Sequence, residues 1–372
     1  MDFKNYLVPG KTGLLIGIGG VSMSPLAEVL HDAGLDIRGS DMAESSNTLA
    51  LRERGIPIHI GHSADNVTDD ISFVIRTAAV HDDNPEVHEA HRRGIPVFER
   101  TQAWGALMRG YQNALCISGT HGKTTTTSMC THIMMAAEKD PTVMIGGTLP
   151  LLKACHRVGK GNTIIMESCE YYNSFLALNP TIAVVLNIEA DHLDFFKDLE
   201  DIKRSFRRFA ERVPAETGTV IANYDDANTM DALRGIERKV ITFGLNPKAD
   251  VYAQNIVRRG SVSEFDIYHR GNYFARVTLH VPGIHNVRNA LAATAAAIVL
   301  GVSPNAVKYG LAGFEGAGRR FDYKGKFQGA DLYDDYAHHP SELRALLDAV
   351  DTLNYQRSIV VFQPHTYSRT AK

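Results

Sequence analysis

The sequence predicts an α/β protein of three consecutive domains, residues 1–107, 108–316 and 317–372. Three observations carry that prediction. Strand-like and helix-like stretches alternate through the first hundred residues. A second α/β stretch opens with an apolar strand running into Gly119-Thr-His-Gly-Lys-Thr124. An alternating, β-rich segment (251–281) then precedes an alanine-rich helix, and a new βα unit follows it.

Taken in order, residues 14–18 (LLIGI) read as a short apolar strand. Gly17-Ile-Gly19-Gly20 turns it into a helix over 24–33, with Leu26, Ala27 and Leu30 at helical spacing. Residues 36–40 form a second strand ending at Asp41, and 56–60, 73–77 and 96–98 supply three more. Repeated βα units of this kind predict a parallel, doubly wound sheet. The second stretch continues through strands at 114–118, 163–167, 182–187 and 220–223. The alternation across 251–281 (VYAQNIV, SEFDIYH, YFARVTLHV) predicts antiparallel strands appended to that sheet, followed by a helix over 287–300. The third unit has strands near 331–334 and 358–362 with a helix over 341–350 between them. It stops at Lys372 where a further helix should open, so the chain reads as C-terminally truncated.

Composition removes several classes of function. Hydrophobic residues at 44% and charged residues at 22% are an ordinary globular balance. A net charge of −3 without any Lys/Arg run argues against a nucleic-acid surface. The four cysteines lack CxxC spacing, which predicts free buried thiols rather than disulfides or a zinc site. The N-terminus is not a signal peptide, and the longest apolar run (290–302) is too short to span a bilayer, so a cytoplasmic protein is expected.

The N-terminal glycine turn, with Asp41 about twenty positions on, imitates a dinucleotide fingerprint whose last glycine is displaced. Physically it promises a pyrophosphate at a helix N-terminus and a carboxylate near a ribose. NAD satisfies that, as does a UDP-sugar, and a tight turn without ligand shows the same pattern. The loop at 119–124 separates the two ligands. A dehydrogenase has no need of a second, ATP-type loop, whereas an enzyme joining ATP to a nucleotide-sugar needs both.

In that loop, glycines let successive N–H groups face one anion, Lys123 reaches β/γ-phosphates, and the Thr124 hydroxyl suits Mg²⁺. It departs from the usual P-loop because Ile117 stands where the first glycine belongs. Glu167, at the end of a strand, is placed to bind the same Mg²⁺ or simply to cap the strand in solvent. Clustered acids with His192 (NIEADHLD, 187–194) again suggest cation binding. Asn286 and Asn289, in GIHNVRN, suit an adenine edge, though an asparagine there is also an ordinary helix cap.

Taken together, GTHGKTTTT, ESCEYYNSF, NIEADHLD, GIHNVRNALAA, Arg319-Arg320-Phe321, DDYAHHPSE and FQPHTYSRT, in this order, resemble the Mur ligase family over the whole chain. The resemblance implies a Rossmann-like UDP-sugar domain, a central P-loop ATPase-like domain with added antiparallel strands, and a partial Rossmann-like C-terminal domain for the amino acid. It implies a cytoplasmic bacterial enzyme of peptidoglycan synthesis, monomeric or weakly dimeric. The similarity of GIGGVSMS and Gly39-Ser40-Asp41 to the family's first member implies that L-alanine is joined to the lactyl carboxylate of UDP-N-acetylmuramate. ATP would first convert that carboxylate to an acyl phosphate.

By the same resemblance, Gly17, Gly19, Gly20, Ser22, Ser40 and Asp41 contact the UDP-sugar. Gly119, Thr120, His121, Gly122, Lys123, Thr124, Thr125, His285, Asn286, Asn289 and Arg320 bind ATP. Thr124 and Glu167 hold one Mg²⁺ and His192 a second. His338 and His339 lie near the amino acid, and His365 and Arg369 face its carboxylate or the phosphate charge. Lys123, Glu167, His192, His339 and Arg369 are the expected catalytic set. Thr366 replaces an arginine found in some relatives, leaving that clamp to Arg369. No lysine at 201–208 has the spacing of the carbamylated lysine of other members. Competing readings are a recycling ligase that attaches a preformed peptide to the same UDP-sugar, an NAD-dependent dehydrogenase, and a catalytically silent UDP-sugar-binding protein.

Overall fold

The computed structural model describes residues 2–77 and 79–364, which divide into two compact units. The first comprises Met1–Tyr111 with Ala177–Asn179. Its elements are β1 (Thr12–Ile16), α1 (Ser24–Asp32), β2 (Asp36–Asp41), α2 (Ser46–Glu53), β3 (Ile58–Ile60), β4 (Ile71–Arg76), α3 (Pro85–Arg92), β5 (Val97–Glu99) and α4 (Arg100–Met108). The five strands form one parallel sheet in the order β3-β2-β1-β4-β5. The order reverses between β1 and β4, so their C-terminal loops open a crevice where such sheets bind ligands. Leu14, Ile16, Val74 and Val87 centre its core.

The second unit, Gln112–Leu176 with Pro180–Lys372, opens with β6 (Asn113–Ser118), α5 (Lys123–Ala136), β7 (Thr142–Leu149), β8 (Ala154–Arg157) and β9 (Thr163–Glu167). It continues with β10 (Ile182–Val185), α6 (Leu199–Glu211), β11 (Thr219–Asn223), α7 (Ala227–Ala232) and β12 (Lys239–Gly244). Then come the meander β13 (Val251–Arg259), β14 (Val262–His269) and β15 (Asn272–Leu279), and the helices α8 (Ile284–Val299) and α9 (Pro304–Ala312). The sheet order is β15-β14-β13-β12-β11-β10-β6-β9-β7-β8. β6 lies between β9 and β10, parallel to both, so the loop leaving it sits at the sheet's middle. The antiparallel β13–β15 extend the same sheet, as the alternation predicts.

α5 starts on four threonines, poor helix formers by propensity. Several hydroxyls in its first turns are satisfied along the helix itself. Thr127, Ser128 and Thr131 each donate to the carbonyl four residues earlier, at 2.8 Å. That lets α5 sink its polar start into the core between the sheet and the helices α8 and α9.

Two expectations are corrected. Residues 358–362 are not a strand: Ile359, Val360 and Val361 are exposed, and among the described residues no strand runs beside them to take up their backbone groups. What the third segment forms is a hairpin of β16 (Asp322–Phe327) and β17 (Ala330–Asp334), followed by α10 (Pro340–Asp351). Of the four free cysteines only Cys116 and Cys130 are buried; Cys155 is half-buried and Cys169 exposed.

Candidate functional site

The loop between β6 and α5 is shaped by two glycines. Gly119 has φ 146° and Gly122 has φ 83°, and a Cβ on Gly122 would lie 2.6 Å from Asn289 Oδ1. Asn187, just past β10, brackets the loop. Its side chain accepts from His121 N (2.7 Å) and donates to the His121 carbonyl (3.1 Å), and its own carbonyl accepts from Thr120 N (3.0 Å). The Lys123 ammonium folds back over the loop, donating to the carbonyls of Gly119 (2.5 Å) and Thr120 (3.2 Å) and to both carboxylate oxygens of Glu170 (3.0 and 3.2 Å). Burial is the largest influence and disfavours the lysine's charge, but Glu170 with Cys169 and Glu167 beside it together outweigh that and raise its pKa. Glu170 was not assigned from the sequence. It lies three residues beyond the strand-end Glu167, and only the path of the chain after β9 turns it toward Lys123.

Thr124 and Glu167 come together as expected: the Thr124 hydroxyl donates to Glu167 Oε1 at 3.1 Å, and Gly146 N donates to Oε2 at 2.6 Å. A Cβ on Gly146 would lie 2.5 Å from that carboxylate, so β7 approaches it closely enough to exclude any side chain. His192 stands apart from this pair, with Nε2 3.7 Å from Glu170 Oε1 and 3.7 Å from Asp191 Oδ2. Its ring stacks on Tyr171 at 4.2 Å between centroids.

Beside the loop lies a cavity of about 340 Å³ whose lining includes His121, Thr125, His285, Asn286, Asn289 and Arg320. Asn286 is not the helix cap; Gly283 holds that position. Its amide donates to the Pro282 carbonyl (2.7 Å), and Asn289 donates to Asn286 Oδ1 (3.2 Å). Burial, with Arg288 adding to it, lowers His285 to about 4, so its ring is neutral at pH 7.

The N-terminus of α10 closes one side of this cavity. His339 caps the helix, and Glu342 reaches back to the N–H groups of His338 (3.1 Å) and His339 (3.3 Å). The other Glu342 oxygen lies 3.0 Å from His121 Nδ1, Glu189 lies 3.6 Å from His121 Nε2, and the Ser341 hydroxyl donates to Glu189. Burial opposes the charge on His121, yet these two carboxylates carry its pKa up to about 9, while Glu189 is held at about 2, chiefly by His121. His121, Glu189 and His339 have the spacing of a metal cluster, their ligand atoms within 4.8 Å of one another. The two carboxylates favour a protonated His121, and His339 Nδ1 accepts from Ser341 N (3.3 Å), so the groups as they stand pair as an ion network.

In the first unit, the crevice at the β1/β4 reversal is lined by Gly17, Gly19, Gly20 and Asp41, together with His62, which sequence reasoning did not single out. Asp41 accepts from Gly19 N at 2.8 Å, and Asn47 donates to the Gly19 carbonyl at 2.8 Å. Ser40 and Ser22 are outside the lining. The buried Ser40 hydroxyl donates to Glu86 (2.8 Å), and the Ser22 hydroxyl accepts from Arg100. His338 contacts the Tyr336 carbonyl and Glu342. His365 and Arg369 lie outside the described residues.

Three family models match: Mur ligase family, catalytic domain (residues 15–112), Mur ligase middle domain (117–297), and Mur ligase, glutamate ligase domain (319–372). The UDP-N-acetylmuramate–L-alanine ligase of Agathobacter rectalis is 46% identical over 356 residues, 95% of this chain and 77% of that relative. Its counterpart from Clostridium novyi is 45% identical over 370 residues, covering 80% of that relative. Among solved structures, the UDP-N-acetylmuramate–alanine ligase of Thermotoga maritima superposes with TM-score 0.77 at 31% identity. The match covers 92% of this chain and 78% of that one.

Proposed function

Because the chain belongs to the Mur ligase family, we propose that the loop between β6 and α5 is where it activates a carboxylate with ATP. The chain joins L-alanine to the lactyl carboxylate of UDP-N-acetylmuramate, releasing ADP and phosphate, in peptidoglycan precursor synthesis. A free carboxylate resists amines because its leaving group would be oxide. Phosphorylation makes that leaving group phosphate, and the alanine nitrogen then displaces it.

The observation that carries the site reading is the double pairing on one loop, Lys123 with Glu170 and Thr124 with Glu167. Lys123 stays charged and moves from Glu170 to phosphate oxygens, where it offsets the repulsion between the triphosphate and the attacking carboxylate. Charged His121 adds positive potential on the cavity side. The Thr124 hydroxyl and the Glu167 carboxylate, two hard oxygen donors 3.1 Å apart, fit Mg²⁺, which would neutralise phosphate charge when bound. His285, Asn286 and Asn289 offer a neutral ring and fixed amides to the adenine. Gly17, Gly19, Gly20 and Asp41 receive the UDP-sugar, with the Asp41 carboxylate fixing the glycine turn.

The peptide-recycling reading is the weaker one. The murein tripeptide ligase of Neisseria meningitides superposes with TM-score 0.74 at 26% identity, against 45–46% for the alanine ligases above. The test is ADP release with UDP-N-acetylmuramate and each amino acid or a preformed peptide in turn. L-alanine should support turnover best; preference for the peptide would replace this reading.

A further inference from the structure

Next to the Lys123–Glu170 pair the surface carries an unusual group of exposed rings. Tyr172 is 65% exposed and Phe195 36% exposed. Tyr171 and Tyr172 stand 4.3 Å apart, Tyr172 and Phe195 4.8 Å apart, and Tyr171 is also stacked on His192. Single exposed apolar residues are ordinary, but a contiguous ring surface marks a binding site. The backbone is also held in an uncommon state there. Tyr172, Asn173 and His192 have φ of 53°, 55° and 53°, the left-handed region that non-glycine residues seldom occupy and that concentrates at ligand sites. Anchors behind the surface maintain it: Phe175 is fully buried, Asn173 accepts from Ser205, and the Tyr171 hydroxyl donates to Asp194.

We infer that Tyr172, backed by Tyr171 and Phe195, is a stacking platform for the pyranose ring of the acceptor sugar. The inference rests on the activity assigned above and adds a subsite to it. The carboxylate to be activated hangs from the sugar ring by a short lactyl ether, so once it reaches Lys123 the ring must lie within a few ångströms. The platform adjoins that pair through a relay of contacts: Lys123 bonds Glu170, Glu170 lies 3.7 Å from His192, and His192 stacks on Tyr171, next to Tyr172. The C–H face of a pyranose is apolar and suits an aromatic face, while hydroxyls at its rim find the carboxylates of Asp191 and Asp194 nearby. The diphosphate, anionic throughout, has no use for such a surface, whereas a uracil base also stacks on aromatic rings, so UDP alone is the control that separates sugar from base.

The test is calorimetry on the full chain. Tyr172→Ala should weaken UDP-N-acetylmuramate by about three- to tenfold, the worth of one aromatic stacking contact, and leave UDP alone unchanged. Tyr172→Phe should keep the wild-type affinity, since the ring and not the hydroxyl makes the contact. KM for ATP should be the same in all three proteins. Unchanged UDP-N-acetylmuramate binding by Tyr172→Ala overturns the platform while leaving the assigned activity intact, as does equal weakening for UDP alone. Failure of the wild-type protein to bind UDP-N-acetylmuramate at all overturns both.

Discussion

Lys123 rests against four oxygen atoms, two from its own loop and two from Glu170. If its charge serves phosphoryl transfer, Lys123→Ala should lower ADP release by about 10³-fold, the scale of losing one preorganised electrostatic contact. Calorimetry should show UDP-N-acetylmuramate binding unchanged, and parallel loss of both would mean the lysine serves the fold. Glu170→Gln leaves that lysine buried without its countercharge. Breaking a buried pair from one side costs about 3 kcal/mol, so the urea midpoint should fall clearly. Of these groups the sequence showed only the locally encoded ones. Lys123 and Thr124 are read from one hexapeptide, whereas Glu170 and Asn187 act through contacts that exist only after β9 and β10 flank β6.

At the scale of the element, α10 is held to the phosphate loop by His121 between Glu189 and Glu342. His121 titrates at about 9 against an ordinary 6.5, so its contribution is complete below about 6.5 and is lost as pH rises through about 9. Glu189 runs the other way. Its carboxyl sits at about 2 against 4.5, so its contribution holds above 4.5 and is lost as pH falls toward 2. Amide exchange in Pro340–Asp351, corrected for intrinsic rate, should therefore be slowest between these limits and speed up by pH 9.5. His121→Ala should flatten the alkaline side; an unchanged profile would show that the ion pairs do not secure the helix. The helix was legible from its Pro-Ser-Glu start. The false strand at 358–362 was not distinguishable, because a short β-branched run looks alike whether or not a neighbour is there to pair with it. Conversely β7 escaped notice because Gly146-Gly147 interrupts its apolar pattern, and Gly146 is where Glu167 leaves no room for a side chain.

For the whole molecule, two compact units with separate crevices predict separate ligand responses. UDP should slow amide exchange in β1–β4 and their loops, and ATP with Mg²⁺ in β6, α5 and α8. Each should stabilise by about 2.7 kcal/mol at a hundred times its Kd. Protection of the same unit by both ligands would refute the division. The two glycine turns were readable because each unit has its own strand, glycine turn and helix, a pattern set by neighbours in sequence. The Lys123–Glu170 pair also bears on which molecules the protein admits at all. A carboxylate tethered beside the ammonium is a permanent competitor whose effective concentration no dissolved anion matches. Chloride, offering a single anionic contact, competes poorly with it. A ligand displaces Glu170 only by engaging the loop amides, the threonine hydroxyl and the lysine together, so the pair filters by valency before any chemistry begins.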